Sequence, residues 1–205
     1  MAQSITRLLP NRNVDPNDVI NLYSYDAASG EAGTFVKVSA ARLDEDAVQY
    51  VNRAGAFQNA LGNATSQYPE VPYKVSSTTG TGDAGSVLGI LLRDVREVDE
   101  NGESLHFYPE KKEELQCVVS GEAVPIATAG VVEINIRGLE GGVVPNINDA
   151  AVLGADGKVT GVAYSALSTE QKDATVGKFI GTGLRVSQQN TDAFAGGYAL
   201  LKFSI

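Results

Sequence analysis

The glycines Gly80, Gly82 and Gly85 have the spacing of a loop that binds the phosphates of a dinucleotide. Such a loop lets the backbone approach a pyrophosphate, and it requires a strand before it and a helix after it. The residues that follow, SVLGILLRDV, are instead typical of a buried strand. Asp83 also places a negative charge where a phosphate would bind. The pattern therefore favours a structural loop, with a nucleotide-binding enzyme as a remote alternative.

The other reactive residues form no catalytic pattern. His106 is the only histidine and Cys117 the only cysteine, and Cys117 lies in the apolar run LQCVV. No GxSxG nucleophile motif accompanies them. The sequence from Asp99 to Gly102 partly resembles a calcium loop, but its glycine comes at the fourth position rather than the sixth. We therefore predict a β-turn there and expect no enzyme activity, cofactor or metal, with weak calcium binding by the acidic stretch 93–114 left as an alternative.

The charge and hydropathy of the 205-residue chain exclude several classes of protein. The net charge of −9 argues against nucleic-acid binding, which needs clustered Lys and Arg. No apolar run reaches the ~18 residues that would span a membrane. The N-terminus lacks the apolar core of a signal peptide, and a single cysteine cannot form an internal disulfide. We therefore expect a chain made in a reducing cytoplasm.

The N-terminal half of the sequence combines an extended segment, strands and one helix. Residues 1–18 contain two prolines and no periodicity, which predicts an extended arm. The runs VINLYSY (19–25) and TFVKV (34–38) predict a β-hairpin. Apolar residues at helical spacing within 39–62 predict one amphipathic helix, followed by a loop around a short strand at Tyr73–Ser76.

The pattern from residue 86 onward is that of short strands separated by turns. VLGILLRDVREV and SLHFY flank the predicted turn at 99–102, and Ala155-Asp156-Gly157 predicts a second tight hairpin. Two predicted strands alternate between an apolar face and an opposite face with a period of two. The apolar face holds Val132, Ile134 and Ile136 in VVEINIR, and Ala199, Leu201, Phe203 and Ile205 in YALLKFSI. The sequence therefore predicts a mainly β fold, a barrel or sandwich, in one domain spanning 19–205 with a helix and loop insertion at about 39–85.

The arm contains two leucines between two basic residues. Leu8 and Leu9 lie between Arg7 and Arg12, and residues 1–14 contain no acid although the rest of the chain is acidic. Leucines exposed on an arm indicate a partner surface. The alternative is that both leucines pack on their own domain, and the sequence favours neither.

Several segments of the sequence resemble the small β-barrel cement (head decoration) proteins of tailed bacteriophages. The resemblance is carried by AGVVEI, AVLGADGKVTG, VGKFIG and AGGYALLKF in the C-terminal half, and by VINLYSYDAASGEAGTFVKV near the N-terminus. It covers residues 19–38 and 86–205, so the segment 39–85 is an insertion relative to the small members.

The resemblance implies a non-enzymatic virion protein that binds the outer surface of an assembled capsid and clamps neighbouring major capsid subunits. It implies a homo-oligomer, with a trimer as the expected form, and no nucleic-acid or membrane partner. We expect Arg7, Leu8, Leu9 and Arg12 to contact the capsid or another protomer. Deleting residues 2–14 should then abolish attachment and leave the melting of the domain nearly unchanged. The alternative is a tail or fibre component.

Overall fold

A computed structural model describes residues 6–40, 73–105, 107–185 and 196–205. The fold is mainly β, as predicted. The strands within these ranges are β1 (Leu8–Asn13), β2 (Val19–Ile20), β3 (Ser24–Tyr25), β4 (Phe35–Ala40), β5 (Lys74–Ser77), β6 (Val87–Leu91), β7 (Val95–Arg96), β8 (Val118–Val119), β9 (Ile126–Ala127), β10 (Ala129–Asn135), β11 (Ala150–Leu153), β12 (Val159–Val162), β13 (Thr175–Arg185) and β14 (Gly196–Ser204). The α-helices are α1 (Pro109–Glu114) and α2 (Thr169–Asp173). Short 3-10 helices cover Pro16–Asp18, Thr81–Ser86, Ile136–Gly138, Glu140–Gly142, Ala155–Gly157 and Tyr164–Ala166.

The first sheet is antiparallel throughout and is curled into a half barrel. Its strand order is β1-β10-β14-β13-β11-β12. The predicted alternation is confirmed in β14, where Ala199, Leu201 and Phe203 are buried. In β10, Val132 and Ile134 are buried as predicted, but Glu133 and Asn135 on the other face are buried too, and Ile136 already begins a 3-10 helix. Ile205 lies outside β14 and is exposed.

The predicted hairpin at 155–157 is confirmed and joins β11 to β12. Asp156 and Gly157 have φ angles of 54° and 67°, the left-handed conformation that such a turn requires. A Cβ at Gly157 would collide with the Thr34 side chain, and the Gly157 N–H donates to the Thr78 carbonyl at 2.9 Å. The hairpin therefore packs its turn tightly against the second sheet.

The second sheet has the strand order β2-β9-β6-β4-β5-β3. The strand predicted at Tyr73–Ser76 is confirmed as β5, but the hairpin predicted for 19–25 and 34–38 is wrong. β4 pairs with β5 and β6, and β3 lies parallel to β5 on its other edge. The segment between β3 and β4 does not turn directly from one strand to the other. Within it, the Gly30 N–H donates to the Val95 carbonyl at 2.9 Å, and the Val95 N–H donates to the Gly30 carbonyl at 2.8 Å.

One apolar core joins the two sheets. Phe35 of the second sheet meets Phe203 of the first edge to face, with ring centroids 6.0 Å apart. Ile90 and Ala127 belong to the same cluster. Two smaller clusters flank it, one around Leu91 and Ile126 and one formed by Leu105, Cys117 and Val119 with the half-buried Leu115.

The region around α1 differs from the sequence prediction. SLHFY contributes only a bridge from Ser104 to Val98 and a buried Leu105, after which α1 begins at Pro109. Most of the predicted helix within 39–62 lies outside the described residues. None of the helices in the described ranges has the length and apolar content needed to cross a membrane.

Candidate interaction site

The N-terminal segment is extended, and it is paired as the edge strand β1 of the first sheet. Leu8 lies opposite Ile134 of β10, and Arg12 lies opposite Val132. Leu8 is only 7% exposed and belongs to the main core, and Leu9 is 1% exposed. The chain therefore covers both leucines itself, which is the second of the two alternatives that the sequence left open.

Arg7 connects β1 to two other parts of the molecule. Its Nε donates to Glu31 Oε2 at 2.5 Å, and its Nη1 donates to the Asp156 carbonyl at 2.8 Å and to Thr34 Oγ1 at 3.3 Å. Arg12 is more exposed and donates from Nη1 to the Leu92 carbonyl at 3.1 Å. Of the four predicted contact residues, Arg12 alone is accessible to a partner while β1 stays in its sheet.

A second feature, an apolar rim, lies along the later half of β13 and the loop beside it. We define the apolar rim as Val143, Ile147, Ile180 and Leu184, which are 69%, 57%, 39% and 71% exposed. Large apolar side chains left this accessible are candidates for a protein interface.

Backbone contacts hold the loop that carries Val143 and Ile147 against β13 and β14. The Asn148 N–H donates to the Phe179 carbonyl at 2.7 Å, which places Ile147 beside Ile180. Leu184 pairs with Gly197 of β14, where a Cβ would collide with Val144. The loop can therefore approach the sheet closely because residue 197 has no side chain.

A half-buried ion pair lies on the opposite face of β13 from Leu184. Arg185 follows Leu184 and donates from Nη2 to Glu133 Oε1 at 2.6 Å, with its guanidinium carbon 5.2 Å from the centre of the Tyr198 ring. The Glu133 side chain is buried, whereas its position in VVEINIR predicts the open face of a half-buried strand. Sequence alone could not pair these residues, because 52 positions separate them.

The glycine loop at 80–85 is filled by its own carboxylate. Asp83 accepts hydrogen bonds from the Thr79 N–H at 2.6 Å, from Thr79 Oγ1 at 2.8 Å and from Lys37 Nζ at 2.8 Å. Burial raises the pKa of Asp83, but these hydrogen bonds outweigh it and hold the pKa below its usual value. The loop leads through a 3-10 helix into β6. Asp83 thus occupies the Thr79 N–H and the Lys37 ammonium, two donors beside the loop.

The turn at 99–102 is a β-turn, as predicted. The Asp99 carboxylate accepts from the backbone N–H groups of Asn101 and Glu103, both at 2.8 Å, and Gly102 has a φ of 85°. These bonds lower the pKa of Asp99, with the bond from Glu103 contributing most. In the part of the chain that the structure describes, no three His, Cys, Asp or Glu side chains are placed to hold a metal ion.

Comparisons with protein-family models, with curated proteins and with solved structures give no significant match. The resemblance to capsid cement proteins therefore stays a prediction.

Proposed function

We propose that this chain is a non-enzymatic virion protein that binds the outer surface of an assembled phage capsid and clamps neighbouring major capsid subunits. The observation that carries the proposal is the apolar rim. The four large apolar side chains of the rim are among ten that the described part of this acidic chain leaves exposed, and a protein partner is suited to cover them.

The apolar rim has the chemistry of an interface centre. Residues that dominate binding are large side chains that become fully desolvated, and polar groups surround them and exclude water. The four side chains of the apolar rim are large and exposed, so a partner could desolvate them in this way.

The four C-terminal segments that resemble cement proteins coincide with strands of the first sheet, whereas VINLYSYDAASGEAGTFVKV lies in the second sheet without the predicted hairpin. AGVVEI begins β10, AVLGADGKVTG spans β11 and β12, VGKFIG lies in β13, and AGGYALLKF includes most of β14. The choice of a capsid shell as the partner rests on the resemblance of these segments.

Repeated contacts would make a modest site effective. A homo-oligomer, with a trimer as the expected form, presents several copies of the apolar rim to a symmetric shell. Once one copy is bound, the others bind at a high effective concentration, and the overall affinity rises without any new contact.

The proposal is tested by separating purified virus particles into heads and tails and measuring the chain in each fraction by mass spectrometry. We expect it with the heads, at a fixed ratio to the major capsid protein. Recovery with the tails alone would overturn the proposal and support a tail or fibre component.

A further inference from the structure

A polar cavity of about 520 Å³ opens where β1, the second sheet and the β11–β12 hairpin meet. It lies apart from the apolar rim and plays no role in the proposed shell contact. We call it the polar cavity and define it by its main side chains, Arg7, Tyr25, Glu31, Asp94, Arg96 and Asp156. Its volume lies in the range of small-molecule sites, roughly 300 to 1,000 Å³.

The charged side chains of the polar cavity are held in position by one another. Arg7 is paired with Glu31 at 2.5 Å, and Arg96 Nη2 is paired with Asp94 Oδ2 at 3.1 Å. The other oxygen of Asp94 accepts from the Ala32 N–H at 2.8 Å. These groups therefore need little rearrangement to receive a ligand.

The polar cavity also has hydrogen-bonding groups that its own structure does not use. Within the described ranges, the Asp156 carboxylate and the hydroxyls of Tyr25, Ser29 and Ser77 make no hydrogen bond, and Glu31 uses only Oε2. Asp156 engages Arg7 through its main-chain carbonyl, so its carboxylate stays available. Donors and acceptors are thus both present and both accessible.

The charge balance of the polar cavity selects against an anionic ligand. Two basic residues, Arg7 and Arg96, face three acidic ones, Glu31, Asp94 and Asp156, which leaves one excess negative charge. A negatively charged ligand would be desolvated beside this excess. A cation would meet two arginines. A neutral ligand with many hydroxyls avoids both costs and can use donors and acceptors together.

We propose that the polar cavity binds a neutral saccharide. Its hydroxyls would donate to Asp156 and Glu31 and accept from the arginines, and the Tyr25 ring, which packs against Gly30, offers an apolar surface for the C–H face of a sugar ring. Saccharides combine several hydroxyls with an apolar face in one neutral ligand. The inference does not rest on shell binding.

The test is a titration of the ¹⁵N-labelled full chain followed by NMR. The probes are methyl α-D-mannopyranoside and methyl β-D-galactopyranoside, with glucuronate as the charged counterpart. We expect at least one neutral glycoside to shift the backbone amides of Gly30 and Thr34, and glucuronate to shift them less. Asp156→Gly keeps the positive φ of the turn. It should raise the Kd about tenfold, because the ligand loses one hydrogen bond to a charged group. Arg96→Gln should act similarly.

Arg93→Gln is the matched control, because Arg93 is exposed and does not line the polar cavity. It should leave the Kd unchanged. The absence of amide shifts up to about 100 mM glycoside, far above the Kd of a millimolar site, would overturn the proposal. So would a Kd that neither Asp156→Gly nor Arg96→Gln changes, or tighter binding of glucuronate than of both neutral glycosides.

Discussion

Arg7 and Glu31 form an ion pair of 2.5 Å across 24 positions of sequence, and it fixes the start of the N-terminal strand to the loop before β4. The guanidinium is largely covered, with 16% of its side chain exposed. Because 39% of the Glu31 side chain is exposed, solvent screens the pair, and its contribution lies at the upper end of the range of surface ion pairs, about 0 to 1 kcal/mol.

Arg7→Gln should lower the free energy of unfolding by about 1 to 2 kcal/mol, because it removes charged hydrogen bonds to Glu31 and to the Asp156 carbonyl. Urea unfolding of this variant, of Glu31→Gln and of the double variant forms a double-mutant cycle. We expect the two losses to be less than additive, since both variants break the same pair. Arg12→Gln is the matched control and should cost less, because Arg12 is exposed and makes one bond. Strictly additive losses would show that Arg7 and Glu31 do not interact.

Deleting residues 2–14 should strongly destabilise the domain, contrary to the expectation for a free arm. The deletion removes β1 with Leu8 and Leu9, both buried. Leu8→Ala alone should cost about 2 to 4 kcal/mol in urea unfolding, because it leaves a cavity in the main core. Leu22→Ala, at an exposed leucine, should cost little. A truncated chain that melts at the temperature of the intact one would show that β1 is not part of the folded domain.

The strands and turns that local sequence determines were predictable, and the pairings that depend on distant residues were not. The turn at Asp156–Gly157 follows from residues that tolerate positive φ. The position of β3 depends on β5, 50 positions later, so a local hairpin was the wrong inference from VINLYSY and TFVKV.

The same distinction holds for the candidate site. The residues of β1 were identified from their types, but their burial depends on pairing with β10, more than 100 positions away. Two members of the apolar rim, Val143 and Ile147, lie in VVPNIN, where proline and two asparagines indicate a loop. Large apolar residues in a loop could have indicated an exposed apolar surface. Leu184 could not, because in the sequence it looks like an ordinary strand residue.

The stability contributed by Asp83 should depend on pH. Its folded-state pKa lies below the ordinary value of 3.8, so its contribution is complete above that value and is lost as the pH falls through the lower folded value. Asp83→Asn should therefore cost about 1 kcal/mol at neutral pH and progressively less in acid. Urea unfolding from about pH 2 to pH 7 measures this, with Asp173→Asn at the exposed end of α2 as the control. A cost for Asp83→Asn that stays constant over this range would contradict the assignment.

Cys117 should be unreactive in the folded protein. The residue is buried beside Leu105 and Val119, and burial raises the pKa of its thiol. Labelling with 5,5′-dithiobis(2-nitrobenzoate) should be roughly a hundredfold slower in buffer than in urea, because the thiol must be exposed by unfolding before it ionises and reacts. Equal rates under both conditions would show that this small cluster is open to solvent.

The apolar rim should matter for shell binding and little for stability. Val143→Asp and Leu184→Asp place charges at sites already in water, so each should change the free energy of unfolding by no more than about 0.5 kcal/mol. Together they should weaken binding to shells at least about thirtyfold, as loss of a hot spot does, in a co-sedimentation assay. Leu22→Asp, at a similarly exposed leucine outside the apolar rim, should bind normally. Equal binding by the double variant, by Leu22→Asp and by the unchanged chain would remove the apolar rim from the interface.

The most direct test of the proposed function is an electron cryo-microscopy map of intact virus particles that contain this chain. We predict density matching the two sheets on the outside of the shell, spanning neighbouring major capsid subunits, with the apolar rim against the shell. A bare outer shell, or density for this fold in the tail, would contradict the account.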